Sequence, residues 1–349
     1  MKTILVTGGL GYIGSHTIIS LLENNFNVYI IDSLINSDEE NLISIKKIWN
    51  LSEKFQKNRI TFFKGDLKDK EFLKDTFQKA KIEGNPIEAV IHFAGLKSVN
   101  NSIKKPLDYW ETNIYGSINL LSIMQLYKCK KIVFSSSASI YKTIINKQIT
   151  ENSKLEALTP YGNTKLAVEN MLGDLTKDKS NNWRIIILRY FNPVGAHISG
   201  LLGENPKGTP DNLFPILLKV ASGEYDYLEI YGNDWPTYDG TCVRDYIHVM
   251  DLAESHLSAL AFILESPPIL LKLNIGTGIG KSVLDVVNSF NDFNNCSIKY
   301  IFGSRRLGDA PYVVADNSLA ISTLKWFPKR NLKDMCIDAW RWKLNNISK

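Results

Sequence analysis

The amino-acid sequence predicts a doubly wound parallel α/β sheet followed by a smaller C-terminal α/β domain. Three observations carry that expectation. Apolar, strand-like runs alternate with helical patterns over about 190 residues, as they do when crossover helices join parallel strands. A glycine-rich turn, Thr7-Gly8-Gly9-Leu10-Gly11-Tyr12-Ile13-Gly14, follows the first run and opens the first helix. After Tyr190 the texture changes to segments rich in Gly, Pro and Asn.

The strand candidates are Thr3–Thr7, Val28–Asp32, Ile60–Phe63, Ala89–Phe93, Lys131–Ser135 and Arg184–Tyr190. They are rich in Ile, Val and Phe and apolar on both faces, as strands covered by helices on both sides should be. Between them lie helical patterns holding Ile18, Leu21 and Leu22, then Leu73 and Phe77, then Ile118, Leu121 and Met124. The lysine-rich stretch 38–57 reads as a surface excursion. Beyond 190, short apolar pieces at Phe214–Val220 and Leu228–Tyr231 precede a helical pattern at Val249–Leu264. A strand at Leu271–Ile275 and a helix near Val283–Phe290 follow. The expected division is 1–190 and 191–349, with part of 245–265 packing back on the first domain.

Composition excludes several classes of function. The 349 residues carry Lys+Arg 41 against Asp+Glu 36, a net +5. The lysines are scattered, with no basic arm or block, so nucleic acid is not an expected partner. The longest greasy region, Leu257–Leu273, is broken by Glu265 and Pro267-Pro268 and cannot span a bilayer. Met1–Val6 breaks at Thr7-Gly8-Gly9 before a signal segment develops, and four dispersed cysteines suit reduced thiols. A soluble cytoplasmic protein is the expectation. The five histidines show no metal-ligand spacing; His92, on an apolar strand, reads as a satisfied core residue.

Chemistry enters with the glycine turn. Glycine permits the tight bend, and its missing side chain lets backbone N–H groups approach a pyrophosphate at the helix N-terminus. Asp32 ends the second strand 18 residues after Gly14. An acid there accepts ribose hydroxyls and repels a 2′-phosphate, which favours NAD over NADP. Asp66, past the third strand, is within reach of an adenine. Thr159-Pro160 then suit the N-cap and first turn of a helix bearing Tyr161 and Lys165, four apart and so on one face. The helix dipole, the ammonium and a positive nicotinamide would all lower the phenol pKa toward a general base. Ser135-Ser136-Ser137 end the fifth strand at the carboxyl edge, where a hydroxyl can hold a substrate alcohol. Any one of these features is common; together they make a dehydrogenase-type site.

Four stretches are more specific: Thr7–His16, His92–Lys97, Leu188–His197 and Val243–Leu252. On them the chain resembles the extended short-chain dehydrogenase/reductases, and within these the UDP-glucose (UDP-galactose) 4-epimerase family, almost from end to end. The resemblance implies a Rossmann-type NAD-binding domain and a UDP-sugar-binding domain. It implies NAD held by Gly8, Gly11, Tyr12, Ile13, Gly14, Asp32, Asn36, Asp66 and Leu67. Phe93, Ala94, Gly95, Lys97, Asn113, Ser135, Tyr161, Lys165 and Tyr190 complete that set. Catalysis falls to Ser137, Tyr161 and Lys165. The nucleotide sugar falls to Lys97, Ser137, Tyr161, Phe191, Asn192, Asn212, Leu213, Tyr231, Arg244, Arg306, Asp309 and Val313. Two arginines suit a diphosphate, and an Asp suits ribose hydroxyls. Standing alone, Arg244-Asp245 and Arg306/Asp309 would read as surface ion pairs.

The implied reaction is C4 epimerisation between UDP-glucose and UDP-galactose through a transient 4-keto sugar. Two departures from the family pattern stand out. Lys142 follows Ile140-Tyr141 where the family has Gly. Val313 occupies the sugar-pocket gate, where a Tyr excludes N-acetyl groups, so activity on the UDP-N-acetylhexosamines is a further expectation; a one-residue slip would put Tyr312 there instead. A 4,6-dehydratase would want an Asp-Glu pair beside Ser137, where the chain has Ala138-Ser139. A non-catalytic NAD sensor would not need Ser137, Tyr161 and Lys165 together. A homodimer through the helices containing Ile118–Met124 and Val168–Leu175 is expected from the family.

Overall fold

The computed structural model describes residues 1–52, 54, 58–142, 147–306 and 308–347. Its strands in chain order are β1 Thr3–Thr7, β2 Asn27–Asp32, β3 Ile60–Lys64, β4 Ile87–His92, β5 Lys131–Ser137 and β6 Arg184–Tyr190. Then come β7 Asn192–Val194, β8 Leu228–Tyr231, β9 Val243–His248, β10 Ile269–Ile275, β11 Gly280–Ser282, β12 Tyr300–Gly303 and β13 Tyr312–Val313. The helices are α1 Tyr12–Glu23, α2 Glu40–Asn50, α3 Lys70–Ile82, α4 Val99–Lys104, α5 Pro106–Trp110 and α6 Gly116–Leu126. After them run α7 Pro160–Lys177, α8 Leu213–Ala221, α9 Val249–Glu265, α10 Val283–Asn294, α11 Ser318–Leu324 and α12 Leu332–Ile347.

Seven strands form one sheet in the order β3-β2-β1-β4-β5-β6-β10. β1 runs parallel to β2 and β4, β2 to β3, and β4 to β5. This is the doubly wound order, in which the chain starts at the centre and winds outward both ways. Strand alternation supplies both cores. Leu5 joins Val90, Ile132, Phe134 and Ile187 on the face covered by α3, α6 and α7. Ile4 and Val6, equally buried, point to the other face. Burying each such side chain is worth roughly 1.5–3 kcal/mol, so neither face tolerates a register slip. The stretch 38–57 departs from a surface excursion. Its residues 40–50 form the crossover helix α2, which buries Leu42, Ile45, Ile48 and Trp49. Lysines on its solvent face hid that stripe. Residues 53 and 55–57 lie outside the described residues.

The chain divides into two compact units, 1–140 with 157–189 and 253–273, and 141–156 with 190–252 and 274–349. The first holds the large sheet. In the second, β11-β9-β13 form a sheet in which β7 also pairs with β9, and β8 pairs with β12. Helices α8, α10 and α12 cover a core of Phe214, Leu217, Tyr246, Val287, Phe290 and Cys336.

Asp245 organises that second sheet. It is fully buried, and its Oδ1 accepts from the backbone N and Oγ1 of Thr277 at 2.7 and 2.6 Å. Oδ2 accepts from the N–H groups of Gly278 and Ala315 at 2.9 and 3.2 Å. It is therefore no surface ion pair with Arg244. One carboxylate on β9 ties down the turn before β11 and the chain after β13. Asp245→Asn would turn an amide N–H₂ against N–H donors. It is expected to destabilise the protein by about 2–4 kcal/mol, read as a lowered urea midpoint. An unchanged midpoint would remove Asp245 from this role.

Candidate active site

The glycine turn forms a backbone cradle in the first unit. Gly8 has φ +66° and donates its N–H to Ile31 O at 2.8 Å. A Cβ on Gly8 would stand 2.7 Å from Ala94 N, and one on Gly14 would stand 2.5 Å from Gly8 O. At Gly11 the nearest atom, Gly8 O, would be 3.2 Å away, a tight but milder contact. Gly11 is the N-cap of α1, and no side chain caps that helix, which leaves its positive end for an anion. Asp32 is buried and accepts from Leu10 N at 2.9 Å, Leu34 N at 2.9 Å and Ser37 Oγ at 2.6 Å. Asp32 thus shapes the loops around the cradle. Asn36 is exposed, Leu67 is buried, and Asp66 accepts from Lys68 N at 2.9 Å.

Strand β4 delivers the next stretch. Phe93 N and Ala94 N both donate to Thr7 O, and Leu96 N donates to Asn113 Oδ1 at 2.8 Å, which places Gly95 against Asn113; Lys97 is exposed. Asn113 lies in a π-helical turn, Glu111–Tyr115, just before α6, a distortion frequent at functional sites. Its Nδ2 donates to Thr164 Oγ1 at 3.0 Å, and Thr164 donates to Tyr161 O at 2.8 Å. His92 extends the network: Ser117 Oγ donates to Asn113 O, leaving its oxygen to accept from His92 Nε2 at 3.0 Å. Nδ1 must then accept from Thr7 Oγ1 at 2.7 Å. Burial holds this imidazole neutral, with its pKa down to about 3. His92 is thus a satisfied core residue.

Helix α7 starts as its sequence dictates: Thr159, in extended geometry, accepts from Gly162 N, and Pro160 fills the first turn. Lys165 Nζ donates to Ser135 O at 2.8 Å and lies 5.9 Å from the centre of the Tyr161 ring. Burial pushes the ammonium down to about 8, against which Glu169 pulls upward. Burial pushes the Tyr161 phenol up to about 12, partly relieved by a hydrogen bond with Ser137. This differs from the lowered phenol that helix dipole and ammonium would produce. Desolvation outweighs them, because the ammonium is turned toward the Ser135 carbonyl. The chain alone holds tyrosine as a neutral phenol.

Residues expected at the sugar nucleotide fall in the second unit. Asp309 accepts both Nε and Nη2 of Arg306, at 3.1 and 2.9 Å, and Arg244 Nη2 stands 3.7 Å from its Oδ1. Arg306 also sits 5.4 Å above the Tyr231 ring. Val313 pairs in parallel register with Arg244, and Tyr312 with Val243. In-register neighbours share a face, so Val313 lies on Arg244's side of the sheet. Tyr312 lines a separate cavity of about 250 Å³ with Pro236, Thr237, Tyr238 and Val243. Asn212 is the exposed N-cap of α8, with Leu213 its first residue. Tyr190 and Phe191 are buried, and Asn192 opens β7.

The comparisons decide the family. A family model described as "GDP-mannose 4,6 dehydratase" matches residues 5–339. A UDP-glucose 4-epimerase of Bacillus subtilis is 46% identical over 346 residues, 99% of this chain and 98% of that protein. The chain belongs to the UDP-glucose 4-epimerase family. The epimerase of Stenotrophomonas maltophila, solved with bound NAD and formylated UDP-arabinopyranose, superposes with a TM-score of 0.93. It is 41% identical, covering 100% of this chain and 99% of that one. The UDP-Glc/GlcNAc 4-epimerase of Campylobacter jejuni is 31% identical, with a TM-score of 0.82 and coverage of 99% and 100%.

In this family member, the first unit brings together the glycine cradle, Asp32, Phe93–Lys97, Asn113, Ser135, Ser137, Tyr161 and Lys165, while Tyr190–Asn192, Asn212, Leu213, Tyr231, Arg244, Arg306, Asp309 and Val313 belong to the second. Thr7, Ser117, Thr164 and the buried Glu169–Arg189 pair were missed from sequence. Only Glu169 left a signal, four residues beyond Lys165 on one helix face. Gly14→Ala is expected to weaken NAD binding at least tenfold and Gly11→Ala by much less, read from cofactor content and calorimetry. Equal affinities in both variants would contradict the cradle.

Proposed function

We propose that the protein is an NAD-dependent epimerase that interconverts UDP-glucose and UDP-galactose at C4 through a transient 4-keto sugar. The observation that carries this is a phenol, a lysine and a serine hydroxyl gathered at the carboxyl edge of a dinucleotide-type sheet, in a full-length relative of the epimerases. NAD fits the residues present: side chains are missing where a Cβ would fill the cradle, and a buried acid stands at the ribose position of β2. Gly8, Gly11–Gly14, Asp32, Asn36, Asp66, Leu67, Phe93–Gly95, Lys97, Asn113, Ser135, Lys165 and Tyr190 would hold it. When bound, NAD supplies a hydride acceptor and donor and a positive charge near the phenol.

The protein's own groups supply the rest. Tyr161 takes the proton from the sugar's O4 and later returns one. Ser137 hydrogen-bonds the phenol and holds the reacting hydroxyl. Lys165, charged near neutral pH and fixed on the Ser135 carbonyl, favours the phenolate. Arg244 and Arg306, which share Asp309 in this structure, neutralise the diphosphate, with Asp309 released to ribose hydroxyls. Lys97, Phe191, Asn192, Asn212, Leu213 and Tyr231 complete the sugar-nucleotide contacts. Elimination of water would need further acid–base groups beside Ser137, and Ala138 and Ser139 offer no carboxylate, which favours epimerase over dehydratase.

Val313 on Arg244's face, with Tyr312 on the other, supports activity on UDP-N-acetylhexosamines. The Campylobacter jejuni relative accords with this. A homodimer is supported by exposed Leu107, Trp110, Tyr115, Ile118 and Leu126 along α5, the π-turn and α6. In α7, Val168 and Leu172 serve the core instead. Among the described residues no helix is long and apolar enough to cross a membrane, and four free cysteines suit a reducing cytoplasm.

Purified protein incubated with UDP-galactose and no added cofactor should yield UDP-glucose. A 6-deoxy-4-keto sugar would make it a dehydratase instead. Tyr161→Phe should bind UDP-sugar yet lose at least a hundredfold in turnover, and near-normal turnover would displace Tyr161 as the base. Val313→Tyr should abolish conversion of UDP-N-acetylglucosamine while sparing UDP-glucose; equal loss of both would place the gate elsewhere.

A further inference from the structure

Glu169 lies one turn beyond Lys165 on the same face of α7 and is fully buried. Arg189 of β6, equally buried, donates Nε to Oε1 at 3.0 Å and Nη2 to Oε2 at 2.6 Å. Ser136 Oγ donates to Oε1 at 2.6 Å, and Lys272 Nζ stands 3.9 Å from Oε2. As mere packing this is an expensive arrangement. Replacing a buried ion pair by apolar groups of similar shape is often neutral or stabilising. An apolar contact would supply burial energy at less cost, but it would not fix the rotation of α7 and would leave the buried ammonium of Lys165 without this negative charge.

We propose that Glu169 is a positioning residue that keeps Lys165 protonated, and that Arg189 holds its carboxylate in place. This rests on Lys165 serving the Tyr161 phenolate, as proposed for the active site. The groups around Lys165 leave Glu169 that task. Strand β5 offers the neutral Ser135 carbonyl and the Phe134 ring face, 5.0 Å away. Strand β4 offers His92, held neutral. Tyr161 and Tyr109 are phenols, and Arg189 and Lys272 are cations that oppose a third positive charge. Of these, Glu169 alone brings negative charge, and it acts against the burial that lowers the ammonium.

Opposite charge changes should therefore move Lys165 in opposite directions. Glu169→Gln keeps the shape and most hydrogen bonds but removes the charge. In protein carrying ¹³C-labelled lysine, assigned through Lys165→Arg, the Lys165 midpoint should fall by about one pH unit, the scale of one unit charge a helix turn away. The alkaline limb of kcat should fall with it. Arg189→Gln should raise both, and Arg189→Lys should leave them in place. If Arg189→Gln does not fold, Lys272→Gln, at the half-exposed end, serves instead with a smaller rise. A folded Glu169→Gln protein with an unmoved midpoint overturns the inference, as does movement in the same direction by all variants. Should that happen while Tyr161→Phe remains inactive, the active-site assignment stands and only the role of Glu169 falls.

Discussion

The Glu169–Arg189 ion pair is the contact on which the arrangement of the first unit turns. Helix α7 carries the phenol and the lysine, so its rotation and height over the sheet set where both groups point. Its Val168 and Leu172 supply burial energy, but apolar packing is non-directional and permits small rolls of a helix on a sheet. The bidentate Arg189 contact, with Ser136 donating to the same carboxylate, fixes α7 against β6 and β5 at once. Losing either charge would leave the other buried without its bidentate partner, at a cost of roughly 3–5 kcal/mol. A helix so held cannot turn without breaking the pair, and so the Tyr161–Lys165 geometry inherits its precision.

Buried polar groups do comparable work elsewhere, always where a loop must be placed. Asp32 gathers Leu10, Leu34 and Ser37 around the cradle. The chain Thr7–His92–Ser117–Asn113–Thr164 links the end of β1 to the first turn of α7, with each donor direction forced by its neighbour. Asp245 closes the sheet that carries Arg244 and Val313. Each satisfied group costs little in place and much if one partner is removed. Hydrophobic layers decide that the units fold, while these networks decide where the site residues stand.

The legible part of the molecule follows this divide. Strands β1 and β6 and the N-cap at Thr159 were readable because periodicity and capping are local. Glycine spacing and the Tyr161–Lys165 interval marked the backbone cradle and the shared helix face for the same reason. Helix α2 was hidden because its lysines dominate a composition-based reading, which does not register the helical spacing of its four buried residues. The roles of Asp245 and Arg189 were invisible for a different reason. Each depends on partners distant in sequence, Thr277 and Ala315 for one and Glu169 for the other, and a single sequence carries no record of such pairings.

In the proposed mechanism the electrostatics set the terms on which a buried tyrosine serves as a base. The protein places the phenol well above neutrality and the ammonium just above it, so the chain by itself favours phenol and a labile lysine charge. The phenolate therefore costs free energy unless further positive charge stands beside it. An ionised Tyr161 therefore depends on the positive charge around it. In the proposed mechanism Glu169 holds one end of that balance by maintaining the ammonium, and Ser137 holds the other through its hydrogen bond to the phenol oxygen. With both ends fixed to β5, directly by Ser137 and through Ser136 for Glu169, the strand edge sets the phenol's geometry and its readiness to lose a proton.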